Sequence, residues 1–160
     1  MYAFEIDQNV PKSQLYDDLH SAAQALVEGE SDSIANMANI AALIWQYLPA
    51  LNWAGFYRMV DAELVLGPFV GKPACIRIPL GSGVCGTAAA RGETQLVADV
   101  HAFPGHIACD AASRSELVVP VIHQGRVTHV IDLDSPDLAR FDEDDRTGVE
   151  KLARMLAGRI

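Results

Sequence analysis

Apolar positions in the first third of the chain recur at helical spacing. Between residues 11 and 28, Leu15, Leu19, Ala22, Ala23 and Leu26 fall on one stripe, and Gly29 stops it. Ser31 or Asp32 caps a second stripe through Ile34, Met37, Ile40, Ala41, Ile44 and Leu48, which Pro49 ends. Beyond Pro49 the period falls from about 3.6 residues towards about 2, the signature of strands. Residues 52–60 and 63–69 flank an Asp61-Ala62 turn and read as a hairpin. A short strand is expected at 74–78, a small-residue helix at 84–91 closed by Gly92, and another short strand at 95–98. Residues 99–115 form a long loop, and loops of that length in compact domains are usually functional or disordered. Residues 116–122 and 127–133 form a second hairpin around Gln124-Gly125. A final helix starts at Asp142, with Phe141 as a staple, and runs towards Ile160. The order predicts an α+β architecture: an antiparallel sheet of about six strands, with the N- and C-terminal helices on one face and a pocket on the other.

Composition narrows the class. The 160 residues, 1–160, suit a single domain without linkers or repeats, and half of them are hydrophobic, which excludes global disorder. A formal charge of −9 without any basic stripe argues against a nucleic-acid partner. The N-terminus lacks the basic and apolar regions of a signal peptide, and the most apolar stretch is broken by Gln46, Pro49 and Asn52. These features predict a soluble cytoplasmic protein with no membrane partner.

Acidic residues on the second hairpin supply the first candidate chemistry. Asp132 and Asp134 alternate with Ile131 and Leu133, so both carboxylates share one sheet face. A three-residue loop, His123-Gln124-Gly125, would pair Ile122 with Arg126 and set Glu116 opposite Asp132; a two-residue loop would send Glu116 to the other face. The three-residue loop is the expectation. Like charges across a ladder destabilise it, so the trio requires a cation unless it lies solvated at the hairpin end. A small ammonium group, a metal ion, Arg114 or Arg126 are the candidates. On the first hairpin, Trp53 and Tyr57 point to one face with Gly55 between them, framing a notch or packing as plain core.

The three cysteines complete the picture. Cys75, Cys85 and Cys109 are spaced too widely for a C-x-x-C motif or paired zinc knuckles. A metal trio of His101, His106 and Cys109 lacks a regular ligand pair, so no metal is expected. Taken singly, buried cysteines are more often structural than reactive. Cys109 lies in a Gly-, Pro- and His-containing loop, however, and Cys75 borders a strand. A loop thiol that reaches a strand thiol is the arrangement of an attacking and a resolving cysteine.

Several motifs in order then carry a specific resemblance. Asn52-Trp53-Ala54-Gly55-Phe56-Tyr57, Lys72-Pro73-Ala74-Cys75, Gly83-Val84-Cys85-Gly86-Thr87-Ala88, the segment 101–110 around Cys109, Ser115-Glu116-Leu117-Val118-Val119-Pro120 and Asp132-Leu133-Asp134-Ser135-Pro136 resemble the free methionine-(R)-sulfoxide reductases. These are small GAF-domain enzymes acting on the free amino acid. The resemblance implies a GAF-like fold, Cys109 as nucleophile, Cys75 as main resolving thiol and Cys85 as an alternative partner. It implies Glu116, Asp132 and Asp134 lining the substrate pocket, with Trp53 and Tyr57 at the methyl-sulfur end. It also implies no bound cofactor, recycling by thioredoxin (with NADPH through thioredoxin reductase) and a homodimer. The rival reading is a non-catalytic GAF sensor for a small ligand.

Overall fold

The structure, a computed structural model, describes all residues except 1–3, 5, 8 and 106–110; Cys109 and His106 lie outside the described residues. The elements run α1 (Lys12–Val27), α2 (Ser33–Tyr47), β1 (Trp53–Val60), β2 (Glu63–Gly71), β3 (Arg77–Pro79), α3 (Gly83–Arg91), β4 (Gln95–Val97), β5 (Ser115–His123), β6 (Arg126–Ser135) and α4 (Glu143–Leu156). All strand pairs are antiparallel, in the order β3-β2-β1-β6-β5-β4. None of the helices is long and apolar enough to cross a membrane, among the described residues.

Period-two alternation sorts the sheet into two faces. Ala54, Phe56, Leu117, Val119, Ile131 and Leu133 point to one side and join the apolar stripes of α1, α2 and α4 in the main core. Their neighbours Tyr57, Val118 and Val130 point the other way, onto Val84, Cys85 and Ala88 of α3. The chain-end helices therefore share one face, and α3 covers the other, as the pattern implied. Burying leucines such as Leu19 and Leu152 completely means that truncating either to alanine costs about 2–5 kcal/mol.

Helix α1 is clamped to α4 by one buried acid. Asp145 closes a capping box with Asp142, and its side chain also accepts from Tyr16 Oη at 2.9 Å, Lys12 Nζ at 2.6 Å and Arg140 Nη1 at 3.1 Å. Gly148 makes room for the Tyr16 ring, because a Cβ there would lie 2.2 Å from it. The last helix ends at Leu156 instead of running to Ile160, with Gly158 at φ +79° just beyond.

Two local expectations require correction. The strand expected at 74–78 is shorter and later, Arg77–Pro79, so Ala74 and Cys75 lie in the irregular segment before it. Proline at 73 and the departure of the chain from β2 leave no ladder for them to join. The second hairpin turns on two residues, Gln124 (φ 50°) and Gly125 (φ 77°), pairing His123 with Arg126. A register shift between Val121 and Ile122 then inserts one extra residue, Thr128, on β6. This bulge restores the parity that a two-residue turn would have lost, and Glu116 pairs with Asp134 rather than with Asp132.

Candidate active site

Strands β5, β6 and β1 bring the predicted acids and aromatics together on the α3 side. Glu116 lies across the ladder from Asp134 on one side and from Val97 on the other; Asp132 lies across from Gly55, and Asp134 from Trp53. Helix α3 lowers Cys85 onto this patch from its first turn, with Sγ 3.9 Å from Glu116 Oε1. Cys85, Glu116 and Asp132 are 4%, 6% and 6% exposed, and one donor atom from each lies within 4.8 Å of the others. Of the three acids, Glu116 and Asp132 are therefore buried and Asp134 is half-buried, so they are not solvated at the hairpin end.

Gly86 explains how α3 comes so close. A Cβ at that position would sit 2.4 Å from the carbonyl oxygen of Pro79. Only a hydrogen there lets the helix settle against β3 and press Cys85 onto the sheet.

Burial dominates the protonation of this cluster. It pushes the Glu116 carboxyl well above the usual range, with Asp132 and Asp134 adding repulsion. Burial raises Asp132 to about 6, opposed by hydrogen bonds with Cys85 and Glu116. The Cys85 thiol is raised by burial first and then by the neighbouring carboxylates. Burial thus favours the protonated forms of Glu116 and Cys85, beside an Asp132 that ionises above about pH 6. Asp132 Oδ1 is buried without a hydrogen-bond partner. An orphaned carboxylate oxygen of this kind is costly, and it fits a site built for something cationic or protic.

The expected cations do not meet the trio. Arg126 stands exposed at the hairpin tip, and the Arg114 side chain is exposed before β5. The cation lining the cavity beside Asp132 and Asp134, among the described residues, is Lys72. Its sequence position gave no hint, since Lys72 enters from the loop after β2 and not from the acid hairpin.

The aromatic pair is placed on the pocket face, but the notch at Gly55 is filled. Trp53 stacks against Phe69 with ring centroids 5.2 Å apart and against Tyr57 at 5.9 Å. An added Cβ on Gly55 would lie 2.4 Å from Phe69 Cβ and 2.8 Å from the Trp53 ring. Glycine therefore serves the rings, letting the indole lie across the strand. Their polar tips hold the Cys75 segment, Trp53 Nε1 donating to the Lys72 carbonyl at 3.2 Å and Tyr57 Oη to the Cys75 carbonyl at 3.0 Å. Sequence reading missed this role, because no periodicity reveals a side chain bonding to a distant irregular loop. Cys75 is disulfide-bonded, and Cys85 is a free buried thiol.

Two small cavities flank the cluster. One of about 20 Å³ is lined by Trp53, Tyr57, Pro73, Ala74, Asp132 and Asp134 together with Lys72. The other, about 30 Å³, is lined by Ser82, Gly83, Val84, Cys85 and Glu116 with Ile78. A larger groove of about 370 Å³ runs between α4 and β5, but Glu150 in its wall is already bonded to Thr94 and Arg146. The buried, partnerless Asp132 Oδ1, the acids and the Cys85 thiol converge at the small cavities.

Comparison with known proteins agrees with this geometry. The GAF domain model matches residues 32–158. The free methionine-R-sulfoxide reductase of Escherichia coli (strain K12) is 49% identical, over 91% of this chain and 88% of its own length. The chain belongs to the GAF-domain family, in the branch of the free methionine-R-sulfoxide reductases. Among solved structures, the Neisseria meningitidis free methionine-R-sulfoxide reductase in complex with its substrate superposes with a TM-score of 0.94 at 44% identity, covering 99% of this chain and 95% of that one. A candidate GAF sensor protein from Burkholderia vietnamiensis, 57% identical, gives a TM-score of 0.91 and covers 94% and 96%. The GAF fold expected for this reductase branch is the fold observed.

Proposed function

We propose that this protein reduces free L-methionine-(R)-sulfoxide to L-methionine, with Cys109 as the nucleophile. The observation that carries the reading is the buried pocket in which Glu116, its protonated form favoured by burial, adjoins the under-satisfied Asp132, beside the segment bearing Cys75. Related proteins bearing the reductase name support the reaction class. Asp132 and Asp134 receive the substrate ammonium, the charge the cluster lacks. That requirement favours a free amino acid over a peptide-bonded residue, which has no such ammonium. Trp53 and Tyr57 wall the methyl-sulfur end.

The chemistry balances without a bound cofactor. Glu116 donates a hydrogen bond to the sulfoxide oxygen while the Cys109 sulfur attacks the substrate sulfur. Oxygen passes from methionine sulfur to cysteine sulfur, releasing methionine and leaving a sulfenic acid. Cys75 condenses with it, expelling water and forming a Cys75–Cys109 disulfide. A disulfide-bonded Cys75 beside a free Cys85 fits this pairing. Thioredoxin, itself reduced by NADPH through thioredoxin reductase, returns both thiols by dithiol exchange. Cys85, held as a thiol, is the reserve partner. The protein works in the cytoplasm as one GAF domain, and the family resemblance adds a homodimer.

Turnover of the free (R)-sulfoxide with a dithiol reductant is the test. Cys109→Ser is expected to fold normally and to lose turnover. Cys75→Ser is expected to release one methionine per chain and then stall, with any slow recycling abolished by adding Cys85→Ser. Wild-type turnover in Cys109→Ser overturns the mechanism. Tight binding of the sulfoxide by the wild type without turnover assigns the sensor reading instead.

A further inference from the structure

The donor set formed by Cys85, Glu116 and Asp132 is more than a patch of acids. One thiol sulfur and two carboxylate oxygens converge from α3, β5 and β6, all buried, within 4.8 Å of one another. Asp132 supplies an independent sign of an absent ligand, since its Oδ1 is buried and has no partner among the described residues. A tetrahedral ion with metal–sulfur bonds of about 2.3 Å and metal–oxygen bonds of about 2.0 Å spaces its donors roughly 3.5 Å apart. The Cys85–Glu116 separation of 3.9 Å is already close to that spacing.

We propose that Cys85, Glu116 and Asp132 form a binding site for a divalent ion of the zinc class, with three protein ligands and a fourth position open. The mixed set selects the ion: thiolate disfavours magnesium and calcium, and the two carboxylates disfavour a purely sulfur-seeking cation. Binding replaces protons without redox change. The metal–sulfur bond forms as the Cys85 proton leaves to solvent, and Glu116 gives up its proton as it ligates. The cavity lined by Ser82, Gly83, Cys85 and Glu116 and the one lined by Lys72, Asp132 and Asp134 approach the donors from two sides. The inference rests on the donor set alone and stands or falls apart from the reductase reading. Where both hold, the ion blocks turnover by taking Asp132 from the substrate ammonium and the Glu116 proton from the sulfoxide oxygen.

The test uses untagged apo-protein carrying Cys75→Ser and Cys109→Ser, so that Cys85 is the sole thiol. Titration with Co²⁺ is expected to give one equivalent bound, a thiolate-to-cobalt charge-transfer band and intense tetrahedral ligand-field bands, all bleached by Zn²⁺. Loss of an outer-shell partner typically weakens a metal site about 10–100-fold, so Cys85→Ser in that background should remove the band and weaken binding about 100-fold or more. Should the double variant not fold, wild-type protein with Cys75 in its disulfide provides the same readout, because Cys85 remains free. Co²⁺ bound without a thiolate band, no Co²⁺ bound, or unchanged affinity in folded Cys85→Ser each overturns the site.

Discussion

Two buried carboxylate sites lie on opposite sides of this sheet and solve the same electrostatic problem differently. Asp145, 1% exposed, is met by Lys12, Arg140, the Tyr16 hydroxyl and the backbone N–H of Asp142, so every nearby donor has a use. Glu116 and Asp132, each 6% exposed, are met by a thiol and by each other. Desolvated charge is tolerated when it is paired and hydrogen-bonded; otherwise it takes up a proton. The first site fastens two helices. The second stores an unmet demand, which a ligand can satisfy. Buried acids in one chain thus divide into structural and functional by how completely their oxygens are satisfied, not by how deeply they lie.

The sharpest way to break this contrast is to neutralise each site in turn. Glu116→Gln keeps the shape and removes an acidic proton, so activity on the free sulfoxide should fall about 100- to 10,000-fold, the range for losing general acid catalysis. Its unfolding free energy should be unchanged or higher, read by urea denaturation, because a desolvated acid and its repulsion disappear. Asp145→Ala should do the reverse. It orphans Arg140 and the Tyr16 hydroxyl, and a loss of about 2–4 kcal/mol is expected, discounted from the fully buried case because Lys12 keeps a third of its exposure. A large stability loss in Glu116→Gln with activity retained would erase the distinction.

Smaller effects should appear in the pH dependence of stability. Asp132 has a folded pKa raised to about 6, so the unfolded chain ionises it first, and stability is lost as pH rises from about 4 to about 6. Asp142, held down to about 2 chiefly by its hydrogen bond from Lys12, behaves oppositely: it stabilises above its unfolded pKa, and that contribution goes as pH falls from about 4 to about 2. His129, lowered to about 4 by burial and Arg58, gains stability with rising pH in the same window as Asp132. The readout is therefore the difference between wild type and Asp132→Asn, whose stability should diverge upward from wild type between pH 4 and 6. No divergence would mean that Asp132 is better solvated than its burial implies.

The smallest expected change marks the baseline. Lys151 reaches Asp17 at 3.0 Å with both side chains more than half exposed, so Lys151→Ala should alter unfolding free energy by less than about 0.5 kcal/mol. A larger loss would show that exposed pairs help fasten α1 to α4, and the Asp145 value would then need apportioning.

Much of the architecture was legible in local pattern. The stripes of α1 and α2, the Asp61-Ala62 turn and the alternation of Asp132 and Asp134 with Ile131 and Leu133 depend on neighbours within a few residues, where period and turn chemistry act directly. Glu116 was placed on the correct face through the wrong turn. The two-residue turn and the Thr128 bulge each shift the register by one in the same sense, and the resulting slip of two keeps Glu116 on its face while moving its partner from Asp132 to Asp134.

What the chain alone determined was therefore its elements, its two-faced sheet and the presence of acids and thiols in one half. Tertiary structure decided who meets whom. It set Glu116 across from Asp134, brought Lys72 instead of an arginine to the acids, and filled the space beside Gly55 with the Trp53 ring. It also tied Tyr57 to the carbonyl of Cys75. Contacts of this kind join residues far apart in sequence, and their energies depend on desolvation and on close packing across the sheet. No local periodicity carries either quantity.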